Sequence, residues 1–247
     1  MSIKSLLATL IILFVSLVNA ELPEGFVYLS DEVPHIQIDL RYAKDNNFLG
    51  RKVFGYQNAP SNKAIVTKQV ALALREAEEV FNQDGFSIVL YDAYRPQKSV
   101  DDFVIWAKDI KDNKMKEDFY PRVDKAKLFA LGYISKKSSH TRGSTVDISL
   151  IPLGKKVQPV KILKRKFQDI QFSYYDDGTI DMGTSFDLFD IGSHYNNPIV
   201  KGEYKIRRAY LRYVMEQCGF KGYDSEWWHF TYGNEPFPNK YFNFEIQ

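Results

Sequence analysis

Cysteine is almost absent from this 247-residue chain. With Cys218 alone no intrachain disulfide can form, so stability has to come from an apolar core, with any bound metal as a second source. Cys218 lies in an apolar helical stretch and reads as core rather than as a nucleophile. An excess of charge of one sign is also missing: 33 Lys and Arg against 31 Asp and Glu leave a formal net charge of +2, and this gives no footing for a nucleic-acid surface. The one long hydrophobic run, Leu6 to Val18, is short for a bilayer span. Internal repeats, low-complexity tracts and phosphate-binding glycine loops are absent too.

The hydrophobic run reads as an address. Lys4 gives a short positive region before it, and Val18-Asn19-Ala20 supplies a small-residue cleavage site after it. This predicts a secretory signal peptide over residues 1–20, cut after Ala20. No Cys follows the run, which argues against a lipoprotein. The expected product is exported, periplasmic in a Gram-negative cell and otherwise secreted or cell-wall associated, with no membrane attachment after cleavage. Residues 21–247 are long enough for one sizeable domain and are read as one.

Along that domain, His35 to Tyr42 alternates apolar and polar residues and predicts a first strand. Thr67 predicts a cap for a helix whose inner face is Val70, Leu74, Ala77 and Phe81, ended by Asp84-Gly85. Phe86 to Tyr91 reads as a buried strand. Ser99 to Lys108 reads as a second helix, with Val100, Phe103, Val104 and Ala107 turned inward. Leu150 to Asp181 is basic and polar and reads as a hairpin or excursion forming a solvated surface loop. A last helix is expected from Lys205 to Cys218, stopped by Gly219. Ile206, Tyr210, Tyr213, Val214 and Met215 would form its inner side, with Arg207, Arg208 and Arg212 largely solvated. The expected class is α+β, a mainly antiparallel central sheet flanked by helices.

Histidine is scarce, 4 residues, and the chemistry gathers around two of them. Ser138 to Asp147 (Ser-Ser-His-Thr-Arg-Gly-Ser-Thr-Val-Asp) offers His140 and Asp147. Far downstream, Glu226-Trp227-Trp228-His229 offers a second imidazole and a carboxylate. Two His and one Asp make a set of N/O donors that suits Zn²⁺ and leaves a fourth position open, as a catalytic rather than structural zinc requires. Glu226, beside the set but outside it, is what an attacking water needs as proton acceptor. Thr145, Asp147 and Ser149 alternate with Val146, Ile148 and Leu150, so Asp147 projects from the polar face of a strand. Gly143 permits a sharp turn that folds His140 back toward it. His229-Phe230-Thr231-Tyr232 reads as another strand, and the set requires the two strands to be neighbours.

Each motif alone has a plainer reading. A buried His is more often a satisfied core residue than a ligand, and an Asp can simply cap a turn; the pair carries the inference. His35 reads as structural or exposed, and His194 as a loop residue outside the ligand set. Arg95 ends a strand in a loop stiffened by Pro96, where a fixed guanidinium can stabilise an oxyanion or make an ordinary ion pair. Trp227 and Trp228 are expected to pack around the metal and shape a small pocket.

These residues resemble the zinc D-alanyl-D-alanine dipeptidases, including the vancomycin-resistance type, within the wider group of D,D-peptidases and hedgehog-like domains. The family pattern is Ser-x-His-x-x-Gly-x-Ala-x-Asp followed by Glu-x-x-His, with Glu-Trp-Trp-His in the dipeptidase branch. Ser138, His140, Gly143 and Asp147 match it, as do Glu226, Trp227, Trp228 and His229. Asp39-Leu40-Arg41-Tyr42 and Asn47-Phe48-Leu49-Gly50 match the family's N-terminal segment. Thr145 departs from it, standing where the family usually has Ala, and its added bulk can shift Asp147.

The resemblance implies a hedgehog/D,D-peptidase-like fold and one Zn²⁺ per chain on His140, Asp147 and His229. It implies Glu226 as general base, and Arg95 of Tyr94-Arg95-Pro96 as the group that stabilises the transition state. It also implies Asp187 of Gly183-x-x-Phe186-Asp187 facing the substrate's free amine, and Ser138 as a substrate-binding residue. The implied reaction is hydrolysis of the small dipeptide D-alanyl-D-alanine, in cell-wall peptide turnover or glycopeptide resistance. Two alternatives stand beside it. A D,D-carboxypeptidase acting on longer stem peptides is disfavoured by Trp227, since those relatives often have Pro beside the Glu. A non-catalytic hedgehog-like binding module would have no need of Glu226. Oligomeric state is left open.

Overall fold

The computed structural model describes residues 21–167 and 170–247, so the expected signal peptide lies outside the described residues. In chain order the elements are β1 (Phe26–Tyr28), α1 (Leu29–Glu32), β2 (Gln37–Ile38), β3 (Ile65–Thr67), α2 (Lys68–Gln83), β4 (Phe86–Asp92) and α3 (Gln97–Lys108). There follow α4 (Lys116–Phe119), β5 (Thr145–Pro152), β6 (Lys161–Phe167), β7 (Ile170–Asp176), α5 (Glu203–Gln217), β8 (Phe220–Tyr223) and β9 (Glu226–Tyr232). No helix among the described residues is long and apolar enough to cross a membrane.

The main sheet has five strands in the order β2-β4-β5-β9-β8. The β4–β5, β5–β9 and β8–β9 pairs are antiparallel, while β2 runs parallel to β4. The class is α+β as expected, but the sheet is mixed. Its parallel edge arises because the chain leaves β2 and returns to β4 by way of β3 and α2, a crossover connection that only a parallel pair requires. The predicted first strand shrinks to Gln37–Ile38, and Arg41–Ala43 forms a 3₁₀ turn instead. There Arg41 reaches Asp177 and Tyr42 reaches Asp187, contacts that a continuing strand would not allow both to make.

α2 buries Val70, Leu74, Ala77 and Phe81, the helical stripe its spacing predicts, and packs on β4. Thr67 stands at the N-cap position but makes no capping bond; its hydroxyl lies 3.4 Å from that of Ser144. β5 carries Val146, Ile148 and Leu150 into the core, and its polar positions Thr145, Asp147 and Ser149 are buried as well. The central strand is therefore covered on both faces, one by core and one by the site.

Two sequence readings fail on burial. The segment from 150 to 181 does contain a hairpin, β6–β7, but Phe172 and Tyr174 are buried and Ser173 bonds Asp118, so only β6 is an exposed edge. On α5, Ile206 and Tyr213 are 69% and 63% exposed, whereas Arg208 is 1% exposed. The inner face is set by Arg208, Leu211, Val214 and Met215 at helical spacing, and the buried guanidinium is satisfied by backbone carbonyls. Val214 and Met215 lie inside and Tyr210 packs against the core as expected, while Ile206, Tyr213 and Arg208 lie on the opposite sides from those that polarity assigns them.

Candidate metal centre

β5 and β9 are neighbours, and Asp147 pairs directly with His229 across them. Opposed residues of adjacent strands share a face, so the two strands bring a carboxylate and an imidazole together. His140 arrives from a 3₁₀ turn over Ser139–Arg142. Ser138 opens that turn, its hydroxyl accepting the His140 N–H at 3.3 Å. Gly143 closes it at φ 75°, where a Cβ would meet the Phe26 ring at 2.2 Å. Only glycine suits both demands.

The donors converge. His140 Nε2 lies 3.3 Å from Asp147 Oδ2 and 3.3 Å from His229 Nδ1, and His229 Nδ1 lies 3.1 Å from Asp147 Oδ1. Among the described residues this is the one group of His, Cys, Asp and Glu able to hold a metal ion. His140 Nδ1 is 2.9 Å from the Ala93 carbonyl. A carbonyl can only accept, so Nδ1 carries the proton and the Nε2 lone pair faces the other donors.

Glu226 reaches the same point by an irregularity. In a regular strand, residues three apart face opposite sides. Here the β8–β9 register shifts between Gly222 and Tyr223, and Glu226 Oε2 comes to 3.5 Å from His229 Nδ1. Burial, with the Asp147 charge added, pushes the Glu226 carboxyl up to about 7 against the pull of His229 and Arg95. Asp147 moves the other way: burial would raise it, but His140 and His229 hold it well below the usual carboxylate range.

Arg95 is fixed from several sides. Its Nε and Nη2 donate to Asp92 Oδ2 at 2.9 and 2.8 Å, and Nη2 lies 3.8 Å from Asp147 Oδ2. Its guanidinium packs over the Tyr42 and Phe103 rings, 5.0 Å from each centroid. The sequence pattern alone assigns Asp92 no role. It is fully buried, accepts the Tyr56 hydroxyl at 2.6 Å, and stands 3.4 Å from His140 Nδ1. A register shift between Leu90 and Asp92 sets it opposite Asp147. The available signal was an acid at a strand end, three residues before the arginine.

Asp187 lines the same cavity of about 490 Å³, together with Ser138, Arg95 and Glu226. Its Oδ2 accepts the Tyr42 hydroxyl at 2.9 Å, and burial beside Asp147 raises its carboxyl well above the usual range. The sequence pattern alone assigns Tyr42 no role. Trp227 and Trp228 are buried but do not line the cavity, contrary to expectation. Trp228 packs edge-on against Phe186, and Trp227 Nε1 donates to Thr184 at 3.0 Å, so the indoles brace the loop that carries Asp187. The Thr145 hydroxyl is taken up by Thr231 at 2.8 Å. His194 lies outside the cluster, 3.2 Å from the Tyr133 hydroxyl, and His35 is exposed.

The family model for the D-ala-D-ala dipeptidases, peptidase family M15, matches residues 23–162 and 163–247. The chain belongs to this family. It is similar to the D-alanyl-D-alanine dipeptidase of Enterococcus faecalis, 37% identical over 223 residues that cover 90% of this chain and 98% of that one. The dipeptidase of Enterococcus faecium is 35% identical over 90% of this chain and 98% of its own length, and that of Streptomyces coelicolor 34% over the same shares. A solved structure of a vancomycin-resistance D,D-pentapeptidase in complex with Zn(II) aligns with TM-score 0.37 and 14% identity, over 71% of this chain and 77% of that chain. That likeness is too remote to bear on the site.

Proposed function

We propose that residues 21–247 act as a zinc-dependent D,D-dipeptidase that hydrolyses D-alanyl-D-alanine. The spacing of the three donors carries the reading. Donors about 2.0–2.1 Å from a tetrahedral zinc stand about 3.3 Å from one another. The separations among His140 Nε2, His229 Nδ1 and the Asp147 oxygens are 3.3, 3.3 and 3.1 Å. His140, Asp147 and His229 would hold the ion between them, and all three side chains line the cavity that also contains Glu226 and Arg95. The names of the relatives support the substrate. When bound, zinc supplies Lewis acidity, drawing electron density from a carbonyl and making a water easier to deprotonate.

The rest falls to side chains. The buried Asp187 carboxylate, steadied by Tyr42, receives the substrate's ammonium; a blocked amine would leave it unpaired, and this rewards a free dipeptide over a longer peptide. Glu226 and Arg95 line the same cavity as Asp187 and are the groups available to act on the dipeptide's carbonyl. Glu226 takes the proton of the attacking water and delivers it to the leaving amine. Arg95, held rigid by Asp92, presents a cation where the carbonyl oxygen gains charge. Ser138 supports the turn that presents His140 and lines the cavity for substrate.

The test is hydrolysis of a panel by the purified protein: D-Ala-D-Ala, L-Ala-L-Ala and a pentapeptide ending in D-Ala-D-Ala. The free D,D-dipeptide alone should be cleaved, with loss of activity on chelation and recovery with zinc. Cleavage of the pentapeptide with the dipeptide untouched would replace this reading with the carboxypeptidase one. The same reading makes the enzyme an exported one serving cell-wall peptide turnover or glycopeptide resistance. A secreted chain beginning at Glu21 is the corresponding expectation, checked by sequencing the N-terminus of the mature protein.

A further inference from the structure

The loop between β7 and α5 carries Asp187 in an unusual backbone state. Among the described residues Asp187 is the one non-glycine with positive φ, 61°. Such a conformation persists only where the surroundings over-determine it. Part of what determines it is a guanidinium without an acid partner. Arg208 on α5 is 1% exposed. Its Nε donates to the Met182 carbonyl at 2.7 Å, Nη1 to the carbonyls of Gly192 at 2.9 Å and His194 at 3.0 Å, and Nη2 to the Thr184 hydroxyl at 3.1 Å.

All of these acceptors lie within residues 182–194, and they flank Asp187 on both sides. None is charged, and among the described residues no carboxylate forms an ion pair with Arg208. Two other guanidiniums that reach this loop from outside it do meet its carboxylates: Arg165 of β6 pairs with Asp181, and Arg122, after α4, pairs with Asp190, both nearer the surface. Burial lowers the Arg208 pKa to about 9, Asp181 offsetting this only in part, so the group is still a cation at neutral pH. Thr184 is a junction, since its hydroxyl also accepts Trp227 Nε1 at 3.0 Å, and Trp227 follows Glu226 on β9.

We infer that Arg208 is the positioning residue for recognition of the substrate's free amine. It draws the two limbs of the 182–194 loop onto one planar group and so fixes where Asp187 presents its carboxylate. Through Thr184 and Trp227 it ties that loop to the strand bearing Glu226. Lysine, with one nitrogen, cannot span Met182, Thr184, Gly192 and His194 at once. Arg208 itself touches neither substrate nor reacting atoms. The inference rests on the dipeptidase reading above.

The experiment uses the mature chain and the variants Arg208→Lys and Thr184→Val. It measures zinc content, kcat and KM for D-Ala-D-Ala, and the inhibition constant of N-acetyl-D-Ala-D-Ala, whose blocked amine cannot pair with Asp187. Arg208→Lys should keep its zinc and hold kcat within about threefold while KM rises about tenfold, the loss expected when a charge-assisted hydrogen bond is misaligned. The inhibition constant of the acetylated dipeptide should not move, so the preference for a free amine shrinks. Thr184→Val should move the same ratio in the same direction by a smaller factor. If Arg208→Lys does not fold, the ratio in Thr184→Val decides. A lowered melting temperature with the preference unchanged in the folded variants would make the role merely structural and overturn the inference alone. A wild-type protein inactive on D-Ala-D-Ala would overturn the dipeptidase reading and the inference with it.

Discussion

Replacing Asp92 with Asn removes one negative charge from a position with no exposed surface. The amide can still accept one Arg95 N–H through its oxygen and donate to the Tyr56 hydroxyl through its nitrogen, so shape and volume are kept. The ion pair is lost. Breaking a buried pair by neutralising one partner costs about 3–5 kcal/mol. Arg95 retains Asp147 at 3.8 Å and two aromatic faces, so the lower end, about 3 kcal/mol, is the expected loss. That cost is one of folding stability; on the rate, a displaced Arg95 should cost about what a lost oxyanion donor does, roughly 10²-fold in kcat/KM. It should fall mainly on kcat, because the Arg95 charge meets a full oxyanion only in the transition state. Zinc content should equal the wild type's, since no donor is altered and His140 Nδ1 keeps the Ala93 carbonyl. Elemental analysis, steady-state kinetics on D-Ala-D-Ala and a thermal melt together read this out. A kcat/KM within about threefold of wild type would refute the reasoning. So would loss of zinc with unchanged turnover per metal-loaded chain, which would mean that Asp92 serves His140 and not Arg95.

Glu226→Gln should keep its zinc and lose turnover by about 10²–10⁴-fold, the usual contribution of a general base, and unchanged turnover would remove that assignment. His140→Ala should purify without stoichiometric metal; full occupancy by elemental analysis would remove it from the donor set. Tyr42→Phe deletes the hydrogen bond to Asp187, worth about 1 kcal/mol, and should raise KM for the free dipeptide by roughly fivefold. Glu78 lies far from this chemistry and tests the electrostatics separately. Burial raises its pKa in spite of the hydrogen bonds from Ser87 at 2.6 Å and the Ile88 N–H at 2.7 Å. The folded state therefore holds this proton more tightly than the unfolded chain does. That contribution is fully present below the ordinary glutamate value of 4.5 and is lost as pH rises through the raised folded one. Glu78→Gln should lack this decline in unfolding free energy, and parallel pH profiles by chemical denaturation would count against it.

The meeting of His140, Asp147 and His229 was legible because alternation and turn chemistry are local. The spacing of Thr145, Asp147 and Ser149 fixes one strand face, Gly143 marks the turn, and the two motifs then need only adjacent strands, which β5 and β9 are. Helix α2 was legible for the same reason. What the sequence could not give was the inside of α5, where a buried Arg208 sits on the face that polarity assigns to water. Burial of a guanidinium depends on carbonyls supplied 14 to 26 residues away along the chain, and no local pattern reports them. Tyr42 takes its role from Asp187, 145 residues away, and no local pattern reports that; Asp92 meets the distant Tyr56 as well, but its pairing with Arg95 is local, three residues apart, and was open to a reading of the sequence.

The Glu226-Trp227-Trp228-His229 motif shows how far spacing alone can mislead. On a helix, residues three apart share a face with no further provision. On a strand they oppose each other, and a base placed there would point away from the ligand it serves. The register resolves this: Tyr223 pairs with Glu226 and Gly222 with Phe230, so Trp227, Trp228 and His229 have no counterparts on β8. The indoles record the same departure. Consecutive side chains of a regular strand lie on opposite faces, yet the Trp227 and Trp228 rings are 5.3 Å apart and both reach the Thr184–Phe186 stretch. Such bulges bend a strand and re-aim its side chains, and they concentrate beside active sites. β4 has its own, between Leu90 and Asp92, on the other side of β5. The central strand can stay regular and present Asp147 because the irregularities that deliver Glu226 and Asp92 are confined to its two neighbours.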